Sequence, residues 1–177
     1  MQIGILGGGR VGGALAERWR AAGHAVTIST RDTVAETAAG KDAVLLAVPC
    51  TAAADVLAAA GSLAGMVVVD ATNNLSGGPD GAAIAAMIPG VPIVKAFNTV
   101  FAPFFAAPPV PAASLVYSGD DPAAKDLVAG LIRDVGFDPV DAGGSETTAH
   151  VEAFAKLVIG VAYKQGKGPF VYRFETA

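Results

Sequence analysis

The sequence predicts an α/β protein of the Rossmann type, a doubly wound, mostly parallel sheet with a C-terminal helical appendage. Three observations carry this. Short β-branched runs alternate with Ala-rich helical stretches. Several runs are continuously apolar, such as VLLAV and MVVVD, as strands covered on both faces should be. A glycine cluster follows the first run and opens the first helical stretch. Strands are expected at 2–6, 25–30, 43–47, 66–70, 92–96 and 114–118, with a less apolar seventh at 137–141. Helices are expected at 11–22, 34–38, 52–60, 81–87, 123–135 and, longest, 147–164. Asp121-Pro122 supplies a cap and a first-turn proline. Gly23 and Gly136 stand where helices should stop. The four prolines between 103 and 111 imply an extended or turn-like segment. The chain divides into a dinucleotide-binding domain at 1–144 and an appendage at 145–177 that is not an independent domain.

Composition narrows the function. In 177 residues, 53% are hydrophobic and 16% charged, which excludes disorder. A net charge of -4 argues against nucleic acid or an anionic membrane as partner. The single cysteine allows neither an internal disulfide nor a cysteine-based zinc site. The start MQIGILGGG lacks the basic region of a signal peptide, and the longest apolar stretches are broken by charged residues. A cytoplasmic protein is the expectation.

Gly7-Gly8-Gly9-Arg10-Val11-Gly12 has the G-x-G-x-x-G spacing between strand and helix. Gly7 permits the tight turn, Gly9 lets a pyrophosphate approach the backbone, and Gly12 lets helix and strand pack closely. The helix N-terminus then offers unpaired N–H groups to the phosphates. Arg10 is a further candidate to reach them. The second strand ends Ser29-Thr30-Arg31-Asp32, without the carboxylate that usually binds an NAD ribose. Thr30 and Arg31 can instead hold a 2′-phosphate. Charge-assisted bonds of about 1.5–3 kcal/mol each imply a preference for NADPH over NADH of roughly tenfold to a hundredfold. Asp32 is read as the cap of the next short helix.

Ligands of open parallel sheets bind beyond the carboxyl ends of the strands. Ala47-Val48-Pro49-Cys50 follows the third strand as an apolar turn suited to the adenosine or the nicotinamide ribose. Asn73 follows the fourth strand, and Asn98, Thr99 and Val100 follow the fifth. The two asparagines and Thr99 are candidates to hold a carboxamide or ribose hydroxyls. Asp70 is expected to cap backbone N–H groups.

In order and spacing, IGILGGGRVGGALA, STRD, AVPC, VVDATNN, VKAFNT, VYSGDD and DAGG resemble the NADPH-dependent coenzyme F420 reductases. The resemblance covers about residues 1 to 165. It implies that Gly7 to Gly12 hold the pyrophosphate, that Thr30 and Arg31 meet the 2′-phosphate, that Val48 and Pro49 stack on the cofactor, and that Asn98 and Val100 lie beside the nicotinamide. It implies hydride transfer between NADPH and F420 or a similar planar acceptor. The chain departs from the archaeal reductases, which have Thr-Gly-Asn-Leu at positions 9–12, often carry His where Asn98 stands, and are longer at the C-terminal end. Two other readings stay open: a reductase of a small enone, imine or flavin, and a non-catalytic NADPH sensor.

Hydride transfer between stacked rings depends mainly on positioning and on excluding water. No catalytic dyad stands out. His150 is a candidate proton donor, and His24 is read as a surface residue at a helix end. Cys50 is read as an unreactive thiol. The last helix is apolar over much of its surface, which raises the expectation of a homodimer with this helix at the contact, covering by the chain's own sheet being the alternative. The aromatic tail from Gly168 to Phe174 is expected to clasp a partner or to line the acceptor site. Lys167 and Arg173 are candidates to meet an acidic acceptor.

Overall fold

The computed structural model describes residues 1–75 and 77–175. Ser76, in the Asn- and Gly-rich stretch after the fourth strand, and residues 176 and 177 of the appendage lie outside them. Seven strands form the sheet: β1 Gln2–Leu6, β2 Ala25–Ile28, β3 Ala43–Leu46, β4 Val67–Asp70, β5 Ile93–Lys95, β6 Ala113–Gly119 and β7 Phe137–Asp141. Their spatial order is β2-β1-β3-β4-β5-β6-β7. The first five are mutually parallel, whereas β6 runs antiparallel to β5 and carries β7 parallel to itself. The order reverses between β1 and β3, and that switch point puts a crevice at the glycine loop. Central β3 and β6 are buried along their whole length, while edge strand β2 alternates between exposed and half-buried. Pro139 sits in β7, the opposite edge, where no ladder bond is lost.

The helices are α1 Arg10–Ala21, α2 Val34–Ala38, α3 Ala53–Ala60, α4 Gly81–Met87, α5 Ala102–Ala106, α6 Pro122–Asp134 and α7 Thr148–Ile159. One core lies between the sheet and α1, α5 and α6, around Ile5, Trp19, Phe97, Phe105 and Leu131. Trp19 Nε1 donates to the Leu131 carbonyl at 3.0 Å, so the large indole is buried with its polar handle satisfied. The other core gathers Leu6, Leu46, Leu57, Val68 and Ile84 beneath α2, α3 and α4. Asp121 accepts from Ala124 N at 2.7 Å with Pro122 behind it, and Gly23 and Gly136 take positive φ of 91° and 86°. Cap, proline and stop glycines stand as the sequence implies.

The structure corrects several expectations. Within the Pro-rich segment, Ala102–Ala106 forms helix α5. Pro103 occupies its first turn, where a missing N–H costs no helical bond, and Phe105 is wholly buried against Phe97 and Phe137. Asp32 does not cap α2. Thr33 holds the N-cap position, and its hydroxyl accepts from Thr30 N at 2.8 Å. Part of the apolar surface of α7 is covered from within, with Val151, Ala155 and Val158 buried and the helix packed on α4 and β6, while Leu157 stays exposed. The aromatic tail also folds back on its own sheet. Ser114 N donates to the Tyr172 carbonyl and Phe174 N to Ser114 Oγ, both at 2.9 Å, at the end of β6 that β5 does not reach. His24 is more than a surface residue, since its Nε2 lies 2.9 Å from Asp134 Oδ2.

Candidate active site

The glycine loop fits a pyrophosphate on stereochemical grounds. Gly7 has φ 113°, and a Cβ there would strike the Ala47 carbonyl. A Cβ on Gly12 would strike the Gly7 carbonyl and come within 2.9 Å of Ile5 Cγ2. Gly9, the residue that should admit the ligand, has open space where its Cβ would stand. Gly9 is also the N-cap of α1 and makes no side-chain cap, so the first-turn N–H groups are left for an anion.

Two cavities flank this loop. A shallow one of about 310 Å³ is lined by Gly7, Gly8, Ser29, Thr30, Arg31, Val34, Val48 and Val56. Thr30 and Arg31 are exposed on its rim, and the Thr30 and Thr33 hydroxyls lie 3.0 Å apart. A larger cavity of about 490 Å³ lies on the other side of the loop. Arg10, Val11 and Pro49 line the near wall, Asn73, Asn98, Thr99 and Val100 the floor, and Phe101, Val158, Ile159, Tyr163 and Pro169 the far wall. The turn after β3 therefore divides the site, with Val48 facing the smaller cavity and Pro49 the larger. Ala47 lines neither and meets Gly7 instead. Cys50 is buried, with Sγ 3.4 Å from the Gly77 carbonyl.

The floor of the larger cavity is a pair of interlocked asparagines. Asn73 Nδ2 donates to the Asn98 carbonyl at 2.8 Å, and Asn98 Nδ2 donates to Asn73 Oδ1 at 3.2 Å. Among the described residues, Asn98 Oδ1 has no hydrogen-bond partner and is buried. A buried acceptor without a donor is costly, so this atom marks where a ligand N–H belongs. Phe97 helps to aim it: this non-glycine residue adopts φ 65° and is held there by edge-on contacts with Trp19 and Phe105. Thr99 Oγ1 lies 2.6 Å from Tyr172 Oη, tying the floor to the tail. Burial raises the Tyr172 hydroxyl above its ordinary pKa, partly opposed by its bonds to Thr99 and to Val116 N.

Other sequence candidates fall outside these walls. His150 is exposed on α7 and lines neither cavity. Lys167 and Arg173 also line neither, and Arg173 pairs with Glu175 at 3.0 Å. Sequence reasoning missed Phe101, Tyr163 and the α7 wall, and it missed Lys95 entirely. Asp70 does accept from Thr72 N at 2.9 Å, as expected of a capping residue, but it also pairs with buried Lys95 at 3.0 Å. The lysine's place at the end of a strand between two chemistry-bearing asparagine segments was the available signal.

A glycine loop at the switch point of a mostly parallel sheet, with cavities on both sides, defines a dinucleotide-binding α/β protein. Residues 2–35 and 29–74 match the family model described as NADP oxidoreductase, coenzyme F420-dependent. Over these residues the chain is similar to that family. It is similar to a crystal structure assigned as an F420-dependent NADP-reductase from Arthrobacter sp. FB24, with 29% identity and a TM-score of 0.89, covering 99% of this chain and 100% of that one. A hypothetical protein from Sinorhizobium meliloti is also 29% identical, with a TM-score of 0.67 over 81% of this chain and 85% of its own. A reductive aminase from Aspergillus terreus, in complex with NADPH4, cyclohexanone and allyl amine, shares the fold at 20% identity and a TM-score of 0.70. The match spans 90% of this chain and 61% of the aminase. Among curated proteins, none matches the sequence.

Proposed function

We propose that this NADP-dependent oxidoreductase transfers hydride between NADPH and coenzyme F420 or a similar planar acceptor. The observation that carries this reading is the larger cavity, whose polar floor presents the unpartnered Asn98 Oδ1 beside the glycine loop. In this reading Thr30 and Arg31 hold the 2′-phosphate, the α1 N-terminus holds the pyrophosphate, and Asn98 Oδ1 accepts from the carboxamide N–H. When bound, the nicotinamide supplies the hydride. The protein's part is to bind, orient and exclude water. The apolar far wall suits a flat ring, and Arg10 is the cation facing the same space. The turn at Val48 and Pro49 keeps adenosine and nicotinamide ends in separate cavities.

Tyr163 on the cavity wall favours a second reading, reduction of a small imine or enone, since its phenol can supply the proton such an acceptor needs. The deciding experiment incubates the protein with NADPH or NADH and follows the visible absorbance of F420, with a cyclic imine and an enone in parallel. Bleaching of F420 by NADPH alone supports the first reading. NADPH consumption with imine or enone only supports the second. Tight NADPH binding without any turnover overturns both in favour of a sensor.

A further inference from the structure

A buried charge cluster that lines neither cavity of the candidate site stands at the ends of the strands leading into the larger one. Asp70 ends β4, Lys95 ends β5 and Glu152 lies on α7, exposed by only 0%, 3% and 6%. Lys95 Nζ donates to Asp70 Oδ2 at 3.0 Å, to Glu152 Oε1 at 2.8 Å and to Thr72 Oγ1 at 3.3 Å. All three of its protons are thereby used. Asp70 Oδ1 accepts from Thr72 N and Glu152 Oε1 from Gly81 N, the first residue of α4, both at 2.9 Å. A neighbouring cavity of about 320 Å³ reaches Asp70 and Lys95, but it meets no free lysine donor there. The cluster is built to join four pieces of chain.

Three of those pieces lead into the walls of the large cavity, whereas α4 lines the neighbouring one. Asn73 stands three residues beyond Asp70, and Asn98 three beyond Lys95. Ala155, Val158 and Ile159, on the facing wall, lie within two turns of Glu152 on the same helix. Buried ion pairs contribute little to stability relative to well-packed apolar groups, so geometry is the better account of why such groups are kept. We propose that Lys95 and Glu152 are positioning residues that hold the Asn73–Asn98 floor and the α7 wall in register, setting how the cavity grips the nicotinamide end of the cofactor. This rests on the assignment of that cavity to the nicotinamide.

The test compares NADPH with 2′-phospho-ADP-ribose, the same molecule without its nicotinamide. Glu152→Ala keeps a good helix former on α7 and leaves the Lys95–Asp70 pair in place. It should weaken NADPH about tenfold while the truncated ligand stays within roughly twofold of its wild-type affinity. Glu152→Gln, which keeps an oxygen acceptor for Lys95 and Gly81 N, should restore NADPH binding to within about threefold. Parallel weakening of both ligands, or no weakening of either, overturns the proposal. Wild-type protein that binds NADPH no better than the truncated ligand overturns the cavity assignment itself, and the positioning role with it.

Discussion

The two halves of the candidate site are assembled in different ways. The smaller cavity, proposed above for the adenosine, comes from residues 7–8, 29–31, 34, 48 and 56, all within the first three strand–helix units. Each is placed by its own turn or strand end. The larger cavity, proposed above for the nicotinamide, draws on residues 10–11, 49, 73 and 75, 98–103, 155–163 and 169, so six separated segments must converge with both ends of the chain folded against the same cavity. Local geometry thus builds the smaller cavity, whereas the larger one depends on packing across the whole molecule. Substitutions in the first half should therefore act on phosphate recognition, and those in the second on ring recognition or on the joining of segments.

The largest expected effect comes from Gly12→Val, because even a Cβ there meets the Gly7 carbonyl. NADPH affinity should fall at least about a hundredfold by titration, and overpacking of about 1–3 kcal/mol should lower the melting temperature by several degrees. Arg31→Ala should raise the NADPH dissociation constant at least about tenfold and leave NADH nearly unchanged, as isothermal titration with both cofactors would show. Equal weakening of the two would dissolve the distinction between the halves. Asn98→Ala acts on the other side. It should weaken NADPH roughly fivefold to tenfold and spare 2′-phospho-ADP-ribose, because Oδ1 has no partner among the described residues and is assigned above to the carboxamide.

The smallest effect concerns the tail. Tyr172→Phe removes the 2.6 Å contact with Thr99 and should cost about 0.5–1.5 kcal/mol, measured by denaturant unfolding. Burial raises the Tyr172 pKa above 10.0 in the fold. Its stabilising contribution is therefore full below pH 10 and is lost as pH rises through the folded value, because the unfolded chain gives up the proton first. Tyr117 shifts the same way, chiefly by burial and then through Asp141. Melting temperature should fall with pH above 10, less steeply in Tyr172→Phe than in wild type.

Much of this architecture was legible from local pattern. The bounds of α2 and α4 agree with the expected ones, and every expected strand is present to within two residues. The Pro-rich segment was harder, since proline forbids a helix interior but suits a first turn, and only the burial of Phe105 shows which applies. The apolar surface of α7 was equally ambiguous. Apolar periodicity reports that a face must be covered and is silent about what covers it.

By itself, the sequence determined the alternation of strand and helix, the glycine loop with its anion-ready helix start, and the strand ends that line the two cavities. These follow from neighbours along the chain: a missing Cβ, a cap, a strand followed by a turn. Only the tertiary structure decided that α7 and the tail close on their own sheet, that Asn98 keeps an unpartnered oxygen, and that Lys95 joins Asp70 to Glu152. Those contacts link residues 25, 57 and 73 positions apart, as in Asn73–Asn98, Lys95–Glu152 and Thr99–Tyr172. No local periodicity encodes such pairings. They arise when burial withdraws water from polar groups and leaves each to find its partner across the fold.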